Sequence, residues 1–525
     1  MPKDNRPLPI LREFLLWIAA LPVFCMAIGI SILSFVFPLE LEFRESNNWL
    51  HVLALKAGKS LYDHTQVAFI NMNHGPMDPL LKATLSIAFP FLTPWNVTRI
   101  FVLFIPLSFF LFTFISLPKE NRSATRAILY SLPAYLFLVT LSPFNLLVGR
   151  TDSTVIFLLL PLFYLVIRPN PVKRLGGLII GILIMMVFLT NFRYVPLCGA
   201  ASWIFILKAW LGFPDPRTRN KVLLAHFFGL ALPLALVLAF VFSFDLGLFY
   251  RHSFGFFTAA SGWGSAPTQA PDQLLSHLST HFQRTLPLWL GVATLLSVLS
   301  LRFGVLKQST EILLGWLPMA IGVFATSVLS LYLNERGGGF YYLTSFYFFL
   351  WAWILSRLII LPRFWKVWAP LIAVGMVPFL TWKNLVPDAD LLWKTLPDAT
   401  VFMNRLTRLN ESTPIVSEQA YFYLRKYQGE TIDSGDVVQK VSEGVYFGEA
   451  FNQRVHTFFE NYSKAPPPVL LTNIVRSAAL ERALSENYTL ITQSPPQYFF
   501  NYKSYSDLWA RKDIAPKMKE EFLRP

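Results

Sequence analysis

The sequence predicts an all-α polytopic membrane bundle of about 11 transmembrane helices, followed by a C-terminal α/β domain. Hydrophobic residues make up 54% of the 525 positions, and charged residues make up only 14%. The mean hydropathy is +0.47, and apolar stretches long enough to cross a bilayer recur along most of the chain. This composition excludes an ordinary soluble globular protein.

The first apolar run, at 14–37, follows the basic residues Lys3, Arg6 and Arg12. It is longer than the core of a signal peptide and has no small-residue cleavage site, so it is predicted to be an uncleaved transmembrane helix. The remaining spans are predicted at 99–117, 127–147, 153–168, 175–192, 194–212, 222–244, 286–303, 310–333, 340–361 and 366–386.

Lysine and arginine concentrate in alternate connections, beginning with Lys119, Arg122 and Arg126. The positive-inside rule places these connections and the N-terminus in the cytoplasm, and the others in the periplasm or lumen, with a bacterial inner membrane as the expected location. The same rule accounts for the net charge of +14 without a nucleic-acid partner. We therefore predict a transmembrane domain at 1–386, with a large first outer loop at 38–98, and an outer α/β domain at 387–525.

The first outer loop carries an unusual density of acidic residues for a connection between transmembrane helices. Helices are predicted within it at 44–57 and 79–92. Carboxylates beside basic groups at a membrane surface suit the removal of a proton from a hydroxyl nucleophile. The loop contributes Glu40, Glu42, Glu45, Asp63 and Asp78, together with His51, His64 and His74.

Other outer turns supply basic residues that can hold a phosphate. Arginine suits this role because its guanidinium can donate two parallel hydrogen bonds. These turns contain Arg150 with Asp152, then Arg193, Arg251 with His252, and Glu335 with Arg336 before three glycines.

The motifs of these outer segments resemble a known family. Residues 45–63, E-S-N-N-W-L-H-V-L-A-L-K-A-G-K-S-L-Y-D, and 73–80, N-H-G-P-M-D-P-L, are similar to the first outer loop of GT-C fold glycosyltransferases that use polyprenyl-phosphate sugars. The relatives include protein O-mannosyltransferases and aminoarabinose lipid A transferases. The turns G-R-T-D at 149–152 and N-E-R-G-G-G-F-Y-Y at 334–342 resemble later family elements.

The resemblance implies an integral-membrane glycosyltransferase acting on the outer face with inversion. It would move a sugar from a polyprenyl phosphate to a hydroxyl of a lipid, glycan or protein acceptor. By position Glu45 is the expected general base, and Glu42 is the second candidate because Arg44 stands where many relatives have the first acid of an Asp-Glu pair. The other expected site residues are Asp152 beside the base, Arg150, Arg193 and Arg336 at the donor phosphate, and Tyr62, Asp63, His74 and Tyr342 at the substrate.

Several alternatives stay open from the sequence. The acids of the first loop can be solvated residues at a helix start, Asp152 can be a helix N-cap paired with Arg150, and Arg193 and Arg336 can be interfacial arginines. No cofactor is certain, and a divalent cation, Mg²⁺ or Mn²⁺, is an open expectation. A transporter or flippase of a lipid-linked substrate, or a non-catalytic membrane scaffold, are the competing functions.

Overall fold

The computed structural model describes a defined part of the chain, and the statements below concern that part. It covers residues 8–42, 45–63, 74–117, 119, 122–141, 143–167, 173–240, 247, 317–332, 385–418, 421–428, 453, 456–457, 464–473, 478–499 and 502–524. The predicted spans 286–303 and 340–361, nearly all of 366–386, and the residues His64, Arg251, His252, Glu335, Arg336 and Tyr342 lie outside it.

Helices make up most of the described residues before 333. In chain order they are α1 (Leu8–Val36), α2 (Glu45–Lys56), α3 (Met77–Ala88), α4 (Pro94–Thr98), α5 (Ile100–Ser116), α6 (Ala124–Leu141), α7 (Pro143–Leu146), α8 (Thr151–Ile167), α9 (Arg174–Thr190), α10 (Val195–Gly212), α11 (Pro216–Phe240) and α12 (Leu317–Tyr332). A 3₁₀ turn, Phe192–Tyr194, joins α9 to α10. The predicted span 127–147 divides into α6 and α7, with Pro143 at the start of the second helix, where its missing N–H costs no hydrogen bond.

The apolar helices belong to an integral membrane protein. In the described part, the segments Glu13–Val36, Phe192–Gly212 and Pro216–Ala239 are long and apolar enough to cross a bilayer. Large apolar side chains such as Phe14 on α1 and Leu224 on α11 are exposed, as expected of surfaces that face lipid. The count of 11 crossings stays a prediction.

Close packing joins α9 to α11 through glycines. A Cβ atom at Gly181 would lie 2.3 Å from the carbonyl oxygen of His226, and one at Gly229 would lie 2.3 Å from that of Leu178. Small residues of this kind let two membrane helices approach backbone to backbone.

The first outer loop folds back onto the bundle. Eleven of the twelve residues of α2 are buried, so the helix predicted at 44–57 is packed on nearly all sides. Helix α4 begins with a capping box in which the Thr93 side chain accepts from the Asn96 backbone N–H, and this fixes the direction of the chain as it enters α5. We call the end of the bundle that carries α2, α3 and the turns at 149–152 and 190–194 the site end.

The C-terminal region contains the small sheet that the sequence predicted. It begins with α13 (Leu385–Ser412), which crosses the predicted boundary at 386 and was not expected as a helix. Strands β1 (Ile415–Glu418), β2 (Val469–Asn473), β3 (Tyr488–Gln493), β4 (Gln497–Phe499), β5 (Tyr502–Ser504) and β6 (Ser506–Arg511) follow, with α14 (Ala478–Asn487) and α15 (Ala515–Leu523). The order is β1-β2-β6-β3, with β1 and β2 parallel and the other pairs antiparallel, beside a β4-β5 hairpin.

The first described residues after β1 form a buried turn. The chain leaves β1 at Glu418 and forms a 3₁₀ turn at Tyr421–Tyr423. The Tyr-Phe-Tyr run is buried because it packs against α2, α4 and α13.

Candidate active site

The turn at Gly149 connects several elements of the site end. Its N–H donates to Glu45 Oε1 at 2.6 Å, and its carbonyl accepts from Asn48 Nδ2 at 2.9 Å and from Lys82 Nζ at 3.3 Å. A Cβ atom at this position would lie 2.7 Å from Thr98 Cγ2. Only glycine lets the turn approach this closely, so the G-R-T-D motif is held against α2, α3 and α4 at its first residue.

Arg99, at the start of α5, has all five of its guanidinium N–H groups engaged. Nε and Nη2 donate to the two Glu45 carboxylate oxygens at 2.7 and 2.5 Å. The remaining three donate to the carbonyl oxygens of Ser34 at 2.8 Å, Phe37 at 2.5 Å and Leu39 at 2.6 Å. These are all the donors that an arginine guanidinium has. Their contacts join the end of α1 to α2 through Arg99.

The Glu45 carboxylate is equally occupied. Oε1 accepts from Arg99 and from the Gly149 N–H, and Oε2 accepts from Arg99 and from the Leu41 N–H at 2.7 Å. Neither side chain of the pair is exposed. Four donors occupy the four lone-pair positions of a carboxylate, so this geometry favours a structural role for Glu45.

A second buried ion pair lies on α3. Lys82 Nζ donates to Asp78 Oδ2 at 2.9 Å, and Thr154 of α8 donates to the other Asp78 oxygen. His51 on α2 is buried, and its Nε2 has no hydrogen-bond partner among the described residues. Burial, assisted by the positive charge of Lys82, lowers the pKa of His51 to about 3, so the ring is neutral at physiological pH.

Asp152 occupies a looser environment than Glu45. Its Oδ1 accepts from Asn191 Nδ2 at 3.3 Å, and its Oδ2 lies 3.6 Å from Arg150 Nη2, which makes an ion pair without a short hydrogen bond. Asn191 Oδ1 in turn accepts from the Arg193 backbone N–H at 3.2 Å. The α8 and α9 ends therefore bring Arg150, Asp152 and Arg193 together.

The N-H-G-P element lies beside the end of α9. Gly75 N–H donates to the Thr190 carbonyl at 3.1 Å, and a Cβ atom at Gly75 would lie 1.7 Å from the Leu189 carbonyl oxygen. Tyr62 donates to the His74 carbonyl at 2.8 Å. Tyr62 and His74 thus adjoin the Asp152 region.

Glu40 and Glu42 lie in the turn that leads into α2, and both are buried. Burial raises the pKa of Glu40 well above its usual value. The Glu42 carbonyl accepts from the Glu45 N–H at 3.0 Å, so the backbones of the two candidate bases meet in one turn.

The described structure therefore brings most of the predicted residues to one end of the bundle. Those it places there are Glu42, Glu45, Tyr62, Asp63, His74, Arg150, Asp152 and Arg193. Sequence reasoning missed Arg99, Lys82 and Asn191. Lys82 had a visible signal, since Asp78 and Lys82 stand four residues apart in a helix with no other charged residue.

No group of three or more His, Cys, Asp or Glu side chains that could hold a metal ion occurs within the described ranges. Asp78 and Glu45 each already accept hydrogen bonds from a cationic side chain. Among the described residues, the structure therefore offers no ligand set for the expected divalent cation.

Comparison with solved structures identifies the fold. The crystal structure of ArnT from Cupriavidus metallidurans bound to undecaprenyl phosphate matches with a TM-score of 0.50 at 12% sequence identity, covering 94% of this chain and 97% of that chain. The chain has the fold of ArnT. ArnT is an aminoarabinose lipid A transferase of the GT-C fold, so the likeness to this structural class is confirmed. The apo form of ArnT gives a TM-score of 0.39 at the same identity and coverage.

No family model and no curated protein matches the sequence. At 12% identity the ArnT-like fold says nothing of individual side chains.

Proposed function

We propose that this chain is an integral-membrane GT-C glycosyltransferase that moves a sugar from a polyprenyl phosphate to a hydroxyl group. The observation that carries the proposal is the assembly of carboxylates and arginines at the site end from segments far apart in the sequence. Asn191 links Asp152 to the turn of Arg193, and Gly149 links the same turn of α8 to Glu45. The ArnT likeness supports a polyprenyl-phosphate donor, because that crystal structure contains undecaprenyl phosphate.

We assign the general base to Asp152, with Glu42 as the second candidate. A base must hold a lone pair toward the acceptor hydroxyl. Among the described contacts, Asp152 accepts one hydrogen bond of 3.3 Å, whereas Glu45 accepts four shorter ones. The Asp152 side chain is also 9% exposed, and that of Glu45 is 0% exposed.

In this mechanism the acceptor hydroxyl loses its proton to Asp152 and attacks the anomeric carbon on the face opposite the phosphate. The bond from carbon to phosphate oxygen breaks, and the configuration inverts. A phosphate is a good leaving group once its charge is neutralised, so the reaction requires cations near it more than a strong acid. Arg150 and Arg193 supply that charge, and Arg336 is proposed to join them from outside the described residues.

Tyr62, Asp63 and His74 are proposed to contact the sugar, with Tyr342 as a further candidate. Tyr62 and His74 are joined by a hydrogen bond and adjoin the end of α9 through Gly75. The donor's chain would lie among apolar helices and the acceptor would be a lipid, a glycan or a protein. The site end is proposed to face the periplasm, with the N-terminus in the cytoplasm.

The proposal is tested by a transfer assay on purified full-length protein in lipid nanodiscs. Radiolabelled undecaprenyl-phosphate aminoarabinose and polyprenyl-phosphate mannose are supplied separately with bacterial lipid, glycan and protein acceptors. Label transfer that is lost in D152N supports the proposal. The proposal is contradicted if no donor supports label transfer and the protein does not bind undecaprenyl phosphate. A parallel titration with EDTA decides whether a divalent cation is needed.

A further inference from the structure

Four consecutive residues of the C-terminal region are buried against the site end. Tyr421, Phe422, Tyr423 and Leu424 are each at most 2% exposed. A short turn with three aromatic side chains would be mostly exposed if it belonged only to the surface of the small sheet. Its burial results from packing on α2 and α4 of the site end and on α13 of the C-terminal region.

Two contacts tie this segment to residues of the site end. Trp49 Nε1 donates to the Leu424 carbonyl at 3.0 Å, across 375 positions of sequence. The Arg99 Cζ atom lies 5.4 Å from the centroid of the Phe422 ring, within the range of a cation–π interaction. The segment therefore reaches the helix that carries Glu45 and the arginine that pairs with it.

The segment is also anchored on its own side. Tyr423 donates to the Ile415 carbonyl of β1 at 3.3 Å, and the Leu424 N–H donates to the Tyr421 carbonyl at 2.9 Å. Because the turn is fixed to the sheet, it can hold α2 in place.

A shift of α2 would change the position of the proposed base, Asp152, because few contacts separate them. Trp49 follows Asn48, which donates to the Gly149 carbonyl, and Gly149 leads directly into Arg150 and Asp152. The Phe422 ring also lies near the Arg99 guanidinium and helps to keep water from its ion pair with Glu45, which strengthens that pair.

We propose that residues 421–424 are a positioning element of the candidate active site, acting through Trp49 and Arg99. This inference rests on the proposed function and gives the C-terminal region a role in it. The segment fixes α2 and, through Asn48 and Gly149, the orientation of Asp152. It acts through these residues and touches none of the reacting atoms.

The test compares two tryptophan variants of the full-length protein. W49F removes the indole N–H that reaches Leu424 and keeps an aromatic ring. W509F is the matched control, because Trp509 Nε1 donates at 3.1 Å to Thr472, a hydrogen bond within the sheet. F422L provides a second variant of the segment.

Hydrogen exchange of the α2 amides is measured first, because it does not depend on activity. We expect exchange to rise about threefold to tenfold in W49F and F422L, the factor that corresponds to losing one hydrogen bond or ring contact. In W509F it should stay at the wild-type value. Equal exchange in W49F and the wild type would overturn the proposal.

Transfer kinetics give the second measurement. A positioning role lowers kcat in W49F and F422L and leaves the donor KM unchanged, since donor-binding groups stay in place. A KM increase with constant kcat, or equal losses in W49F and W509F, would contradict it. If the wild type transfers no sugar while the exchange difference is present, the proposed function fails and the link between 421–424 and α2 stands.

Discussion

Arg99 and Glu45 form a two-point ion pair, with Nε–Oε1 and Nη2–Oε2 distances of 2.7 and 2.5 Å, and neither side chain is exposed. The pair joins the start of α5 to the start of α2 across 54 positions of sequence. The pair holds the two helices in one orientation. Arg99 also donates to the carbonyl oxygens of Phe37 and Leu39, which follow α1.

Replacing Glu45 should reduce stability more than it reduces the chemistry. E45Q leaves the Arg99 charge buried without its counterion, and loss of one member of a buried pair typically costs about 3–5 kcal/mol. The measurement is the free energy of unfolding in detergent. D390N is the matched control, because its pair with Lys394 is solvent-exposed and should contribute little. Unchanged stability of E45Q would show that the pair has no structural role.

Replacing Asp152 should reduce activity more than it reduces stability. D152N keeps the shape of the side chain and removes its ability to accept a proton, so kcat should fall about 10²–10⁴-fold. The melting temperature should change little, because the carboxylate makes only one long hydrogen bond and one 3.6 Å ion pair among the described contacts. E42Q is assayed alongside. If E42Q loses activity and D152N retains it, the base is Glu42.

The close approach of Gly75 to α9 predicts that a larger residue at position 75 lowers the stability of the protein. In G75A the added methyl group meets the Leu189 carbonyl oxygen, so the loop must move, at a cost of about 1–3 kcal/mol. G199A is the control, because no atom lies within 4 Å of a Cβ built there, and alanine favours a helix. Thermal unfolding of both variants checks the prediction, which is wrong if the two are equally stable.

Because His51 is buried, we expect the folded protein to lose stability in acid. The pKa of His51 is about 3 in the folded protein and about 6.5 in an unfolded chain, so below pH 6.5 the unfolded state binds the proton more readily. Folding stability should therefore fall by about 1.4 kcal/mol for each pH unit between 6.5 and 3. H51Q should flatten this dependence in melting curves at pH 7.5 and 5. The matched control is H456Q, at an exposed ring, and an unaltered slope in H51Q would refute the assignment.

The sequence was informative where hydrophobicity and helix length decide the structure. Spans such as 99–117 and 175–192 were predicted within a residue or two of α5 and α9, because a run of apolar residues bounded by polar turns has few alternatives in a bilayer. The Gly149–Asp152 turn was also predicted from the sequence, by its arginine and aspartate.

The pairing of side chains could not be predicted in the same way. Arg99 looked like the polar start of a transmembrane helix, and only tertiary contacts show that it pairs with Glu45. The long helix α13 was missed because its mean polarity resembles that of a surface segment, although Leu392, Phe402 and Leu406 line one buried face. Nothing local in the Tyr421–Leu424 sequence indicates its partner, since Trp49 lies in the first outer loop.

The hydrogen bond from Trp49 to Leu424 has a consequence for biosynthesis. Residue 49 is made early and residue 424 is made 375 positions later. At the usual rates of protein synthesis, this interval is roughly 20–75 s. The helix that carries Glu45 therefore lacks this contact until residue 424 has been made, and a nascent protein cannot hold α2 in its final form before then.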